Sequence, residues 1–358
     1  MDINSKEVFK VLNPRNIWVP VLLGLGIVAF IFYNDPNVTT ENLSLILHAS
    51  SGGVFLSLLT LGFRLFGYAF RLRLISDNEI SWSKAVVIIM LWEFASAVTP
   101  SVVGGTAVAV FIFMAEGINF GKSLAFVMVT AILDNLFFVV AAPSVMLLAP
   151  GQVFPNMATA QIQIGKSLPY LFFVSYTLIA IYTLVMAYGL FVRPRAFKWI
   201  LLKVTTLKWL NKWRLQAGTY GDQIITASAE IKHKQWKYWL AISLITVFIW
   251  CSRYFTLNAI VTSFVNVSVG DHLVIFSRQV IMWIVMLISP TPGSSGTAEY
   301  FFLPFFEEYL DSYTFISAIF WRILTYYPYL ILGAIVLPRW VKNRFFKKEK
   351  VERNTSLD

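Results

Sequence analysis

The chain has 358 residues, of which 57% are hydrophobic and only 13% charged, with a formal net charge of +10. Soluble domains carry about 25% charged residues, so this composition excludes an ordinary soluble enzyme and identifies a polytopic membrane protein. One cysteine, Cys251, excludes an internal disulfide and a Cys-rich metal site, and His48, His233 and His272 lack metal-ligand spacing. No metal or cofactor is expected, and the positive charge is read as a marker of cytoplasmic loops rather than of nucleic-acid binding.

Residues 1–16 form a polar cytoplasmic N-terminus, and residues 17–33 a first apolar span. Asn34-Asp35-Pro36-Asn37 follows it instead of a small-residue cleavage site, so an uncleaved helix is expected. A second span covers 45–70, with Arg64 near its cytoplasmic end and placed to snorkel outward. Arg71 and Arg73 belong to the basic loop that follows. Residues 85–113 are apolar but interrupted at Thr99-Pro100. Spans at 122–148, which contains Asp134, and at 168–192 flank a Pro/Gln/Gly loop.

Residues 193–237 carry ten Lys and Arg. Within them Phe197, Ile200, Leu201, Val204, Leu207 and Leu210 recur at helical spacing, ringed by lysines and tryptophans. Two readings fit: an interfacial amphipathic helix on an anionic membrane face, or a structured cytoplasmic connector. A span at 238–264 contains Arg253. Residues 272–306 are interrupted at Ser289-Pro290-Thr291-Pro292-Gly293-Ser294-Ser295-Gly296. A last span covers 314–337 with Arg322, and 339–358 is a basic tail.

Charge sets the topology. If each interrupted segment is a re-entrant hairpin, the cytoplasmic pieces (1–16, 71–84, 114–122, 193–237 and 338–358) hold 24 of the 29 Lys and Arg, and the outer pieces only Lys166. Two full crossings would put the 193–237 loop outside, against the positive-inside rule. Both termini are then cytoplasmic, and the two hairpins enter from opposite faces. A shift of 191 residues superposes Gly105-Thr106-Ala107 on Gly296-Thr297-Ala298, Trp92 on Trp283 and Glu116 on Glu307. The expected fold is an all-α polytopic membrane protein, an inverted repeat of 17–192 and 238–338 with re-entrant broken-helix hairpins at 85–113 and 272–306.

An ionisable side chain at mid-membrane costs ~2.5–3.5 kcal/mol on insertion scales. Glu93, Asp134, Arg253, Arg278, Glu299 and Arg322 are therefore the candidate substrate-binding residues. The arginines suit a lipid phosphate. The carboxylates suit a cationic group or a proton. Structural readings stand beside these: Arg278 snorkelling outward, Glu299 and Arg322 as an ion pair locking the second hairpin, Glu116 solvated at the cytoplasmic mouth. Thr99, Pro100, Gly104, Gly105, Pro290, Pro292, Gly293 and Gly296 are cavity-shaping, permitting close approach and irregular backbone. Trp321, Tyr326, Tyr327 and Tyr329 fit a membrane-interface belt or packing, with a cation-π site as the sharper alternative.

The segments Thr99-Pro100 to Gly104-Gly105 and Pro290-Thr291-Pro292-Gly293 to Gly296, with Glu299 and Arg322, resemble the lysylphosphatidylglycerol synthase transmembrane region, a flippase-like (UPF0104) family. The resemblance runs from about residue 17 to 338. It implies a stand-alone translocator-type module without the aminoacyl-transferase domain of the full synthases, since about twenty residues follow the last span. Where the family carries an acidic residue after the first Gly-Gly, this chain has Thr106; where it carries a following arginine, Ala109 and Val110 stand. The expected function is movement of a polar-headed, phosphate-containing membrane lipid between leaflets of the bacterial inner membrane, by a non-enzyme whose partner is that lipid. A homo-oligomer is compatible with it. A secondary transporter of a small solute and a non-transporting partner of an envelope-lipid enzyme remain as alternatives. A membrane enzyme lacks its motifs: no His-Glu-x-x-His, Gly-x-Ser-x-Gly or phosphate loop occurs.

Overall fold

The computed structural model describes residues 44–99, 101–155, 168–207, 210–287, 289, 291–294 and 296–346. The expected first span at 17–33, Lys166, Pro100, Pro290 and the end of the basic tail lie outside them. The described residues are helical, without strands. Their helices are α1 (Ser51–Ile75), α2 (Trp82–Val98), α3 (Ser101–Ala115), α4 (Phe120–Leu148), α5 (Leu168–Ala187), α6 (Pro194–Val204), α7 (Arg214–Lys232), α8 (Trp236–Phe264), α9 (Val269–Met286), α10 (Thr297–Leu310), α11 (Thr314–Thr325) and α12 (Tyr327–Val341). Among the described residues, six helical stretches are long and apolar enough to cross a membrane: 51–75, 120–148, 168–192, 236–264, 269–286 and 297–344. Their outward faces are apolar, as with Phe55, Leu58 and Leu59 on α1 and Leu178, Ile181 and Leu184 on α5. A bilayer requires that, since lipid offers no partner to polar groups.

Local chemistry sets the helix ends. The Ser50 hydroxyl accepts from the Gly53 amide at the start of α1, and the Asn119 side chain accepts from Lys122 at the start of α4. Ser268 and Asp271 form a reciprocal capping box on α9. Thr99, which precedes Pro100, is extended (φ −97°, ψ 138°), because proline disfavours the helical conformation in the residue before it.

Both interrupted segments are helical hairpins. Ser96 lies against Gly105 and Trp92 packs on Phe113, so α2 and α3 run antiparallel. Arg278 reaches the Phe305 carbonyl and Ser289 meets Thr297, so α9 and α10 do too. The limbs have 17, 15, 18 and 14 residues. At 1.5 Å per residue α2, α3 and α10 are about 21–26 Å long, short of a ~30 Å hydrocarbon core, and only α9, about 27 Å, reaches the lower limit of a spanning helix.

The longest seam joins α1 and α8. Ser50 donates its amide to the Ser263 carbonyl, Thr60 and Thr256 join hydroxyls at 3.0 Å, and Arg71 reaches Thr246 at 3.1 Å, so the helices run antiparallel. Gly53 and Gly67 allow the close approach: a Cβ would come within 2.4 Å of Ser263 and 2.6 Å of Ile249. Small residues at such seams give membrane helices their packing contact. One apolar core gathers the second hairpin with α4, α5 and α8; another gathers the first hairpin with α1 and α12.

Two expectations are corrected. The last span is not continuous: Tyr326 (φ −124°, ψ −57°) separates α11 from α12. Pro328, in the first turn of α12, lacks an amide and its ring blocks the carbonyl four residues back. Arg71 lies inside α1, which runs to Ile75, and not in a loop. The basic connector is folded: α6 packs on α7 through the Lys198–Asp222 pair at 2.5 Å and the Lys198 stem against Gly221, and on the end of the 168–192 stretch through Phe197 against Gly189. Trp199, Ile200, Val204 and Leu207 still face outward, so the apolar stripe is only partly covered.

Candidate functional site

A cavity of about 270 Å³ lies between the two hairpins. Trp92, Glu93, Ser96, Thr99 and Thr106 line it from the first hairpin, and Trp283, Ser289, Thr291, Gly293 and Ser294 from the second. Arg71 of α1, Asp134 of α4, Arg253 of α8 and Arg322 of α11 complete its charged wall. The tips meet through Tyr326, whose hydroxyl donates to the Ala97 carbonyl at 3.1 Å. The Tyr326 ring lies where a Cβ on Gly293 would stand, 2.2 Å away.

The charges are organised as pairs. Arg322 forks onto Glu299 at 2.7 and 3.1 Å, each residue only 6% exposed. Its guanidinium also donates to the Gly293 and Ser294 carbonyls at 3.4 and 3.2 Å. Glu299 in turn accepts the Gly296 amide at 2.8 Å. This clamp fixes the loop in a left-handed path, with φ of 56° at Gly293, 53° at Ser294 and 82° at Gly296. Glycine adopts that path without the steric penalty of a Cβ. Arg322 lines the cavity, while Glu299 acts on the loop from behind.

Asp134 is the second centre. Arg71 forks onto it at 2.5 and 3.1 Å, and the Trp250 indole donates to it at 2.9 Å. Arg71 is 2% exposed, so its charge is tolerable only because the carboxylate neutralises it. The third pair is Arg64–Glu93 at 2.6 Å. Here too the sequence expectation is corrected: Arg64 does not snorkel but is 1% exposed, flanked by the Tyr68 and Tyr329 rings. Two of its nitrogens, Nε and Nη1, have no hydrogen-bond partner among the described residues. Arg64, Tyr68 and Arg71 are spaced to share one face of α1. That spacing was the signal for Arg71, which reading the segment as a loop concealed.

Arg253 differs from the other arginines. It stacks on Trp283, 4.2 Å from the ring centroid, and lies 5.3 Å from that of Trp250, with no carboxylate partner among the described residues.

Arg278 stands apart from the cavity. It donates to the carbonyls of Gln152 and Phe305 and pairs with Glu308 at 2.7 Å, tying the second hairpin to the loop after α4. Glu116 is likewise not solvated: its side chain is 5% exposed and accepts from Trp340 and Arg344. Of the cavity-shaping candidates, Thr99 and Gly293 line the cavity and Gly105 closes the first hairpin against Ser96. Gly296 starts α10, Gly104 lies in α3 and Pro292 opens the short turn 292–294. No group of His, Cys, Asp and Glu able to hold a metal occurs among the described residues.

The family model of the lysylphosphatidylglycerol synthase TM region matches residues 17–333. The chain belongs to that family. The match takes in both hairpins and every charged residue of the cavity. A UPF0104 membrane protein of Archaeoglobus fulgidus is 25% identical over 293 residues, covering 79% of this chain and 85% of that relative. Both comparisons agree with a membrane protein.

Proposed function

We infer that this protein is a lipid translocator that moves a polar-headed, phosphate-containing lipid between membrane leaflets, and that it is not an enzyme. The observation that carries this reading is the charged cavity between two helical hairpins inside an apolar bundle. Discontinuous helices around a buried polar site suit transporters, because irregular backbone at membrane depth is stable only in protein or beside a wet cavity. Membership of the lysylphosphatidylglycerol synthase TM-region family supports a membrane-lipid substrate.

The α1/α8 seam supports an inverted repeat. A shift of 189 residues carries Arg64 onto Arg253. The same shift carries the Thr60–Thr256 contact onto the Gly67–Ile249 contact. Antiparallel helices related in this way fit a two-fold axis in the membrane plane. The proposed topology puts both termini on the cytoplasmic side of a bacterial inner membrane, with the first hairpin entering from the cytoplasm and the second from outside.

The test is reconstitution into liposomes with a fluorescent phospholipid and a leaflet-specific quencher. The wild-type protein accelerates exchange over empty liposomes. Ala131→Trp, which places an indole in the cavity wall, abolishes the acceleration while the protein still folds. Equal rates with and without protein for every phospholipid tested overturn the proposal.

A further inference from the structure

We propose that Arg253 is the ligand's anchor in the cavity, and that the site takes a phosphodiester carrying one negative charge on an otherwise uncharged head group. This rests on the translocator reading only for the lipid source of that group.

The first argument is charge balance. The two carboxylates that line the cavity and the one behind its loop each have an arginine: Glu93 has Arg64, Asp134 has Arg71 and Glu299 has Arg322. The pairs cancel, and among the described residues Arg253 remains as one net positive charge at the cavity. A dianion would leave the cavity negative, and a zwitterion would leave it positive. A single oxyanion closes the account.

The second argument compares the two halves. Arg64 and Arg253 correspond under the shift of 189 residues, and the shift of 191 that superposes the hairpins sets Ile284 opposite Glu93. The first-half arginine thus has an internal counter-ion and is sealed away at 1% exposure. Its second-half counterpart lines the cavity with that counter-ion replaced by an aliphatic side chain.

Geometry supplies the third argument. The Arg253 guanidinium carbon lies over the Trp283 ring, 4.2 Å from its centroid, and Trp250, the second ring beside it, is fixed by its indole bond to Asp134 at 2.9 Å. A guanidinium held over a ring leaves its planar fork of N–H donors free at the edge, the arrangement that grips two oxygens of one phosphate.

Calorimetry on the detergent-purified full chain tests this with three probes: dihexanoyl phosphatidylglycerol (one negative charge), dihexanoyl phosphatidylcholine (zwitterionic) and the soluble diester glycerophosphoglycerol. The phosphatidylglycerol binds about tenfold or more tighter than the phosphatidylcholine. Arg253→Gln removes that preference, and Arg253→Lys, which keeps the charge but not the fork, falls between. A thermal melt of each variant reports folding independently. Equal affinity for the two lipids in the wild type, or an intact preference in a folded Arg253→Gln protein, overturns the proposal. Equal binding of the soluble diester upholds the Arg253 site and removes the lipid as its source. Charge-selective binding without lipid exchange in the liposome assay instead overturns the translocator reading alone.

Discussion

Glu299→Ala tests the clamp on the second hairpin. The carboxylate meets Arg322 through two hydrogen bonds of 2.7 and 3.1 Å and caps the Gly296 amide. With charge centres roughly 4 Å apart and an effective dielectric near 20, the attraction is about 4 kcal/mol. Truncating one member of a buried pair typically costs about 3–5 kcal/mol, because the surviving charge stays desolvated. Arg322 would keep its bonds to the Gly293 and Ser294 carbonyls, so the lower end, about 3 kcal/mol, is expected. Glu299→Gln retains a neutral acceptor for the Gly296 amide and should lose about 1–2 kcal/mol. The double variant Glu299→Leu/Arg322→Met should lose less than the sum of its single changes by about 1–3 kcal/mol. Reversible unfolding in mixed micelles, followed by tryptophan fluorescence, measures all of them. A loss below about 1 kcal/mol for Glu299→Ala, or strict additivity in the double variant, refutes the clamp.

Gly293→Ala should destabilise by more than the ~1–2 kcal/mol of a left-handed backbone, since its Cβ also meets the Tyr326 ring. Gly117→Ala, at φ 99° with open space around the Cβ, should lose only about that backbone cost; equal losses in the same unfolding assay refute the Tyr326 contact. Gly53→Leu should disrupt the α1/α8 seam and lower the melting temperature, because its Cβ runs into Ser263. Gly62→Leu on the same helix, with nothing within 4 Å, should leave the melting temperature unchanged. For topology, Glu79→Cys and Ser312→Cys in a Cys251→Ala background should label with a membrane-impermeant thiol reagent from the cytoplasmic and the outer side respectively. Labelling of both from one side refutes the opposed hairpins.

Membrane residence follows from composition, because an apolar fraction this large leaves a soluble chain no way to bury it. The two hairpins were legible for a related reason: Pro and Gly at Thr99-Pro100 and Pro292-Gly293 break helical hydrogen bonding wherever the chain goes. The break at Tyr326 was marked by Pro328, but it fell in a continuous apolar run and read as one span.

The Glu299–Arg322 pair was one of the readings the sequence offered, but the pairing of the other cavity charges was not legible. Arg64, Arg71 and Arg253 are the same residue type in similar apolar surroundings, and sequence spacing does not tell a snorkelling arginine from a buried one. What separates them is which helix lies opposite: α2 brings Glu93 to Arg64, α4 brings Asp134 to Arg71, and α9 brings only Trp283 to Arg253. Arg278 shows the converse, an intramembrane charge committed to Glu308 and two carbonyls away from the cavity. The sequence by itself determined that charges had to be buried and where the helices had to break. Only the tertiary structure decided which charge has no carboxylate partner among the described residues, because neutralisation in a low-dielectric interior depends on contacts of a few ångströms between residues far apart in the chain.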